Sequence, residues 1–450
     1  WGPDAYATMR EVKRLVDPDG ILNPGVILNE DPQVHIRDLK TVPEVEEEAD
    51  RCIECGFCEP KCPSRDVTLT PRQRIMVRRE QARLLLDKRR AEAASLEHGS
   101  LYEVLDTCAT DGLCATACPV AIDIGKMVKQ LRGSRHGALS EWTALRLAGH
   151  FAFTEAAVRS ALRLGHAQAA VIGHGALARL TRAGAALGLP SWSPDMPRPA
   201  KSLPETRRKG AQALYFPACI TRTFGPAPGD PSVAEILVGV AARAGVPVWI
   251  PPAIEGTCCG MPFSSKGYAA AHDRCANAAI ERLWKWSEEG RLPVVVDTSP
   301  CAWTLKTCRE DLTEANRKRF DALRILDSVQ FARDSILPNL QVLRRAHAVA
   351  LHPVCSLVKM GLEKALRDIA AACADEVFIA FEAGCCGFAG DRGFLHPELT
   401  EAATRAEAEE IRAQEFDGHY ASSRTCEIGM TRATQRVWRS IWALLDDTTR

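Results

Sequence analysis

The sequence carries no net charge, because its 57 Lys and Arg residues balance 57 Asp and Glu. No chain-wide field therefore draws it to nucleic acid or to an anionic membrane surface. Long apolar runs are also missing. The longest stretch of the middle region without a charged residue, Leu164 to Ala178, has fifteen residues, short of the roughly 18 to 20 a spanning helix needs. The N-terminus has neither a starting methionine nor the apolar core of a signal peptide, since Trp1 is followed by charge within four positions. That start reads as the edge of a longer chain.

Cysteine, by contrast, is plentiful, with eighteen in 450 residues. In a small secreted domain this would be a disulfide framework, but here most thiols fall in short clusters with metal-ligand spacing, which points to a reducing, cytoplasmic compartment. A hydrophobic share of 46% is enough for two to four domains with their own cores.

Residues 1–40 read as a tail, with a helix-like stretch from Tyr6 to Val16 and two dense turn segments, Asp17-Pro18-Asp19-Gly20 and Asn23-Pro24-Gly25. Residues 41–135 hold two cysteine clusters flanking a helical run expected from Pro71 to about Glu97. Residues 136–205 form a helical connector and a proline-studded linker, Pro190 to Pro204. The rest repeats itself over 206–335 and 336–450. A strand-like run ends in cysteine, a vicinal Cys-Cys-Gly follows, and another strand-like run leads to a later cysteine. Strands alternating with helices predict two α/β lobes with parallel sheets, so the expected class is α/β plus α: a helical module followed by two repeated lobes. Cys219, Cys301, Cys355 and Cys426 would then stand at strand C-terminal ends, facing a crevice.

Cys52-x2-Cys55-x2-Cys58-x3-Cys62-Pro63 is the spacing with which a bacterial ferredoxin loop wraps three thiolates round one cubane and sends the fourth to a partner cluster. The second run, Cys108-x2-Asp111-x2-Cys114-x3-Cys118-Pro119, has aspartate at the second place. Crossed ligation would give the first 4Fe-4S cluster Cys52, Cys55, Cys58 and Cys118, and the second Cys62, Cys108 and Cys114 with Asp111 at the fourth place. The alternatives are a three-iron second cluster with Asp111 as a loop residue, or zinc throughout. In the repeats, Cys219, Cys258, Cys259 and Cys301, and then Cys355, Cys385, Cys386 and Cys426, offer four soft ligands each. These suit a further iron-sulfur cluster, or zinc, in at least one lobe. Buried thiols or a vicinal disulfide are the bland reading. Cys275, Cys308, Cys373, His347 and His352 read as structural, and the Arg72, Arg79, Arg83, Arg90 stripe as a solvated helix face.

The segment from Tyr6 to Leu28, with its Asp17 to Gly25 run, resembles the closing part of FAD-linked oxidases acting on D-2-hydroxy acids. The ferredoxin pair resembles the module fused behind it, and the Cys-Cys-Gly repeats are similar to the cysteine-rich domains of heterodisulfide reductase, glycolate oxidase and anaerobic glycerol-3-phosphate dehydrogenase subunits. Their order resembles the C-terminal half of single-chain FAD and iron-sulfur D-lactate or D-2-hydroxyglutarate dehydrogenases. Thr304 and Gly429 stand where a heterodisulfide reductase type would have one more cysteine. The resemblance implies an upstream flavin domain that oxidises a D-2-hydroxy acid, with Asn23 near the FAD. Electrons would pass through the clusters to a quinone or another redox protein, with peripheral membrane association and homo-oligomerisation left open. Two other readings stand beside it, a separate iron-sulfur subunit and a zinc or thiol scaffold.

Overall fold

Two four-stranded sheets of identical topology account for the second half of the chain. In the computed structural model, which describes residues 1–37, 42–187, 190–227 and 229–450, the first sheet comprises β1 (Ala213–Phe216), β2 (Val248–Trp249), β3 (Val294–Val296) and β4 (Ile325–Asp327) in the order β2-β1-β3-β4. The second comprises β5 (Ala346–Leu351), β6 (Ala374–Phe378), β7 (Gly418–Ala421) and β8 (Trp438–Ser440) in the order β6-β5-β7-β8. Every pairing is parallel, with Phe216 opposite Val296 and Leu351 opposite Tyr420. The central strands read Ala-Leu-Tyr-Phe and Val-Val-Val and are buried throughout, as strands covered by helices on both faces must be.

The two sheets share one continuous core. Helix Val233–Arg243 of the first lobe packs against the last helix of the chain, Ile441–Thr449, where Arg243 donates to Asp446 at 2.8 Å and to Thr449 at 3.0 Å. Where the sheets' crevices approach, the buried hydroxyls of Ser299 and Ser422 lie 2.9 Å apart. The fourth strand of each sheet was not expected from sequence; both are three residues long and run directly into helices.

The helical module differs from expectation at one point. The run from Pro71 divides into Pro71–Leu86 and Arg90–Gly99, because Lys88 takes a left-handed φ of 62° that ends the first helix. Its start is as expected: Thr70 and Gln73 form a reciprocal capping box ahead of Pro71. The connector folds as helices Ala138–Gly149, Phe151–Ile172 and His174–Thr181, and no helix among the described residues is long and apolar enough to cross a membrane.

The chain divides into units Trp1–Glu44 and Val45–Arg450; the expected boundary at residues 40 and 41 lies outside the described residues. In the first unit, helix Pro3–Val16 buries no residue. Asp17 closes it by accepting from the Ile21 and Leu22 amides at 2.9 and 3.0 Å. Asn23 sits in an exposed turn with φ 47°.

Candidate metal centres

The two ferredoxin-type loops share a backbone. Glu54 and Gly56 in the first have φ of 59° and 85°, and Thr110 and Gly112, at the same offsets in the second, have 50° and 76°. Positive φ at alternate positions curls each loop so that the residue between points inward. That residue is Cys55 in one and Asp111 in the other. Cys52, Cys55, Cys58 and Cys118 line one hollow of about 360 Å³, with Arg72 and Ile75 in its wall. Cys62, Cys108, Asp111 and Cys114 line a second of about 300 Å³. Each loop thus contributes its last cysteine to the other's hollow.

The surroundings of the two hollows differ. Arg74, 1% exposed, lies behind the second, donating to the Cys62 sulfur at 3.6 Å, the Ser64 hydroxyl at 2.9 Å and the Val104 carbonyl at 3.1 Å. Arg132 donates to the Cys108 carbonyl at 2.8 Å, and Arg392 bonds the Asp106 carbonyl. Burial, then the neighbouring Arg392, lowers the Arg132 pKa, yet a guanidinium stays charged in a protein. At the first hollow, Arg79 donates to the Ala49 and Cys52 carbonyls at 3.1 Å and pairs with Glu54 at 2.7 Å. The arginine stripe is therefore not a uniformly solvated face: Arg79 is 4% exposed, and Arg74, one turn before Arg78 and outside the stripe, is the most deeply buried of the group. No spacing signal marks Arg74 in the sequence. Burial, the largest cause, raises the thiol pKa of Cys58 to about 11 and pushes Cys62 and Cys114 up as well, so loading a metal must expel protons.

Asp111 accepts from the Leu113 amide at 2.7 Å. Its pKa is raised chiefly by burial, with that amide and the Lys359 ammonium acting the other way. Asp111 as a whole is half-buried. Leu113 and Ala109, on the far side of the loop, pack against Cys385 of the second lobe.

In each lobe the sheet order reverses between its first and third strands, and that switch point is where ligands bind in open parallel sheets. Cys219 and Cys355 follow β1 and β5 as the opening residues of helices Cys219–Thr223 and Cys355–Lys359. Cys301 and Cys426 follow β3 and β7, each the third residue of its helix, Ser299–Thr307 and Arg424–Thr434. The positive end of a helix favours a thiolate there. The vicinal pairs arrive from loops after β2 and β6, held by Gly260 and Gly387 with φ of 88° and 69°. The Gly260 amide donates to Cys258 Sγ at 3.4 Å and the Gly387 amide to Cys385 Sγ at 3.5 Å.

In the first lobe the thiols of Cys219 and Cys258 meet, as do those of Cys259 and Cys301. Cys275, assigned no role from sequence, has its thiol against that of Cys258 as well. Beside Cys219 the connector sends in Glu155, which pairs with the guanidinium of Arg222, both side chains at most 2% exposed. Arg222 also donates to the Thr257 carbonyl at 2.7 Å. In the second lobe the Cys355 and Cys385 thiols meet, and the Cys386 and Cys426 sulfurs lie 3.3 Å apart. His352, read from sequence as structural, stands among them. Its Nδ1 is 2.8 Å from Glu407, and its Nε2 has no hydrogen-bond partner among the described residues. Ligand atoms of His352, Cys386 and Cys426 lie within 4.8 Å of one another. Burial would lower the His352 pKa, but Glu407 and Cys386 raise it to about 10.

Comparison with known proteins follows the same divisions. Residues 48–122 match the model of the 4Fe-4S dicluster domain, 213–306 and 349–431 each match the cysteine-rich domain, and 1–27 match the C-terminal domain of FAD linked oxidases. The chain is 26% identical over 381 residues to the glycolate oxidase iron-sulfur subunit of Escherichia coli (strain K12), covering 77% of this chain and 81% of that protein. It is 23% identical over 387 residues to an uncharacterized iron-sulfur protein of Methanocaldococcus jannaschii, covering 86% and 68% respectively. This chain therefore carries an iron-sulfur dicluster domain and two cysteine-rich domains behind a segment similar to the end of a flavin-linked oxidase.

Proposed function

We propose that this chain is the iron-sulfur electron-transfer portion of a flavin-dependent D-2-hydroxyacid dehydrogenase, taking electrons from FAD and passing them one at a time to a quinone or other redox carrier. The observation that carries this reading is the exchange of Cys62 and Cys118 between two neighbouring hollows, an arrangement suited to two clusters close enough to exchange electrons. Cys52, Cys55, Cys58 and Cys118 would hold one 4Fe-4S cluster. Cys62, Cys108 and Cys114, with Asp111, would hold the other. Bound clusters supply one-electron chemistry; the chain's own residues set where each sits and how readily it is reduced. The buried cations Arg74 and Arg132, with the half-buried Arg392, favour the reduced form at the second hollow, while the carboxylate of Asp111 is a harder ligand than thiolate.

D-lactate or D-2-hydroxyglutarate is the substrate class suggested by the flavin-linked segment at residues 1–27. A second reading, a separate iron-sulfur subunit serving a flavoprotein partner, is favoured by the similarity to the glycolate oxidase subunit over 81% of that protein's length. Anaerobic reconstitution of the full chain, followed by iron and sulfide analysis and low-temperature paramagnetic resonance of the reduced protein, tests the common core of both readings. Two interacting paramagnetic centres are expected from the dicluster module, beside any held by the lobes. Colourless protein with zinc in place of iron would overturn both. Reading the coding sequence upstream for an in-frame flavin-binding domain separates the two.

A further inference from the structure

The two lobes share topology, cysteine placement and the glycine-held pair, yet differ at one buried spot. Three residues before its strand-end cysteine, the first lobe has Phe216 and the second His352. Twenty-two residues after the first cysteine of the pair, the first lobe has Ile280 and the second Glu407. All four are at most 2% exposed. An apolar pair in one copy is thus an imidazole and a carboxylate in the other.

Burying those two polar groups is costly unless each of their atoms finds a partner. Glu407 satisfies Nδ1 at 2.8 Å, while among the described residues Nε2 has no nitrogen or oxygen partner and has only the sulfurs of Cys386 and Cys426 beside it. A thiol is a weak hydrogen-bonding group, so a buried imidazole nitrogen with only two sulfurs for neighbours is poorly satisfied by the protein alone. A histidine whose other nitrogen is held by a carboxylate is the arrangement by which proteins orient an imidazole toward a metal. In the first lobe Phe216 and Ile280 are part of the apolar core, with the Arg222 guanidinium 5.8 Å from the Phe216 ring centre, and neither can ligate a metal.

We propose that His352 Nε2 is a protein ligand of the second lobe's metal centre, beside Cys386 and Cys426, with Glu407 holding the ring in the ligating tautomer. The inference deepens the electron-carrier reading of this lobe and rests on it. On binding, the metal takes the Nε2 lone pair and displaces any proton held there, while Nδ1–H continues to donate to Glu407. A neutral imidazole in place of an anionic thiolate raises the potential of an iron-sulfur centre. The second lobe would therefore hold the electron more firmly than a centre ligated by cysteine alone.

The test uses the full chain, reconstituted anaerobically with iron and sulfide and labelled with 15N-histidine. Cys386→Ser first identifies the second lobe's share of the metal. If it leaves metal content and spectra unchanged, the lobe binds none, and both the electron-carrier reading of the lobe and the ligand assignment fail. If Cys386→Ser removes a centre, pulsed paramagnetic resonance of the parent should show coupling to a directly bonded histidine nitrogen. His352→Cys should keep that centre, lose the nitrogen coupling and shift its potential downward. The pair His352→Phe with Glu407→Ile, which installs the first lobe's residues, should stay folded by circular dichroism and lose the centre. Retention of an unchanged spectrum and metal content in both variants would overturn the ligand assignment while leaving the electron-carrier reading intact. Zinc in place of iron, lost with His352, would sustain the ligation and end the electron-carrier reading for this lobe.

Discussion

The two cysteine-rich lobes are built on one plan and finished differently. Both order their strands identically, both place a cysteine at the first and third positions of helices leaving the switch point, and both hold the vicinal pair by a glycine amide. The first lobe then surrounds its thiols with Cys275 and the Glu155–Arg222 ion pair, and the second with His352 and Glu407. A fold fixes where ligands converge; the side chains three residues or one helix away decide what converges with them.

The sharpest way to break the comparison is to remove one matched ligand from each lobe. Cys259→Ser and Cys386→Ser should each abolish one centre completely, read by iron analysis and by the loss of a distinct paramagnetic signal. Loss from one lobe alone would show that duplication of the fold did not extend to the metal. Next in size is the first lobe's ion pair. Glu155→Ala leaves the Arg222 guanidinium buried without its carboxylate and should cost roughly 3–5 kcal/mol by denaturant unfolding. A loss under about 1 kcal/mol would mean that the pair is hydrated in solution.

A subtler effect belongs to the dicluster module, where the same contrast of like backbones and unlike ligands recurs. Asp111→Cys makes the second loop match the first and should change the second cluster's spectrum and potential. Identical spectra before and after the change would show that the carboxylate does not touch iron. The smallest expected effect is that of Cys275→Ala. That thiol is buried beside Cys258 but comes from a helix flank, so metal content should persist with a stability loss of about 1 kcal/mol, measured by thermal unfolding. Loss of the centre would instead make Cys275 a fifth ligand.

Much of this was legible in the sequence because cluster loops and strand ends are local. The spacing of Cys52 to Cys62 encodes a tight loop directly, and the repeated strand, cysteine pair and strand encode two parallel sheets. The fourth strands, Ile325–Asp327 and Trp438–Ser440, escaped notice because three residues carry no periodicity and each merges into a helix start. The break at Lys88 has no glycine or proline to announce it. Arg74 and His352 escaped for a different reason: burial of a polar side chain is set by partners far along the chain. Glu407 lies 55 residues from His352, and the Val104 carbonyl lies 30 from Arg74. Only folding shows that the imidazole has one nitrogen occupied and one spare.

The packing of Ala109 and Leu113 against Cys385 also bears on timing. Electron tunnelling slows steeply with distance, so carriers on separate domains must often wait for a swinging motion before each hop. Here Ala109, in the wall of the hollow of Asp111, belongs to the same apolar cluster as Cys385 of the second lobe, within one unit of the chain. With both filled, that hop would need no hinge, and its speed would be governed by the two potentials rather than by diffusion of one body toward another.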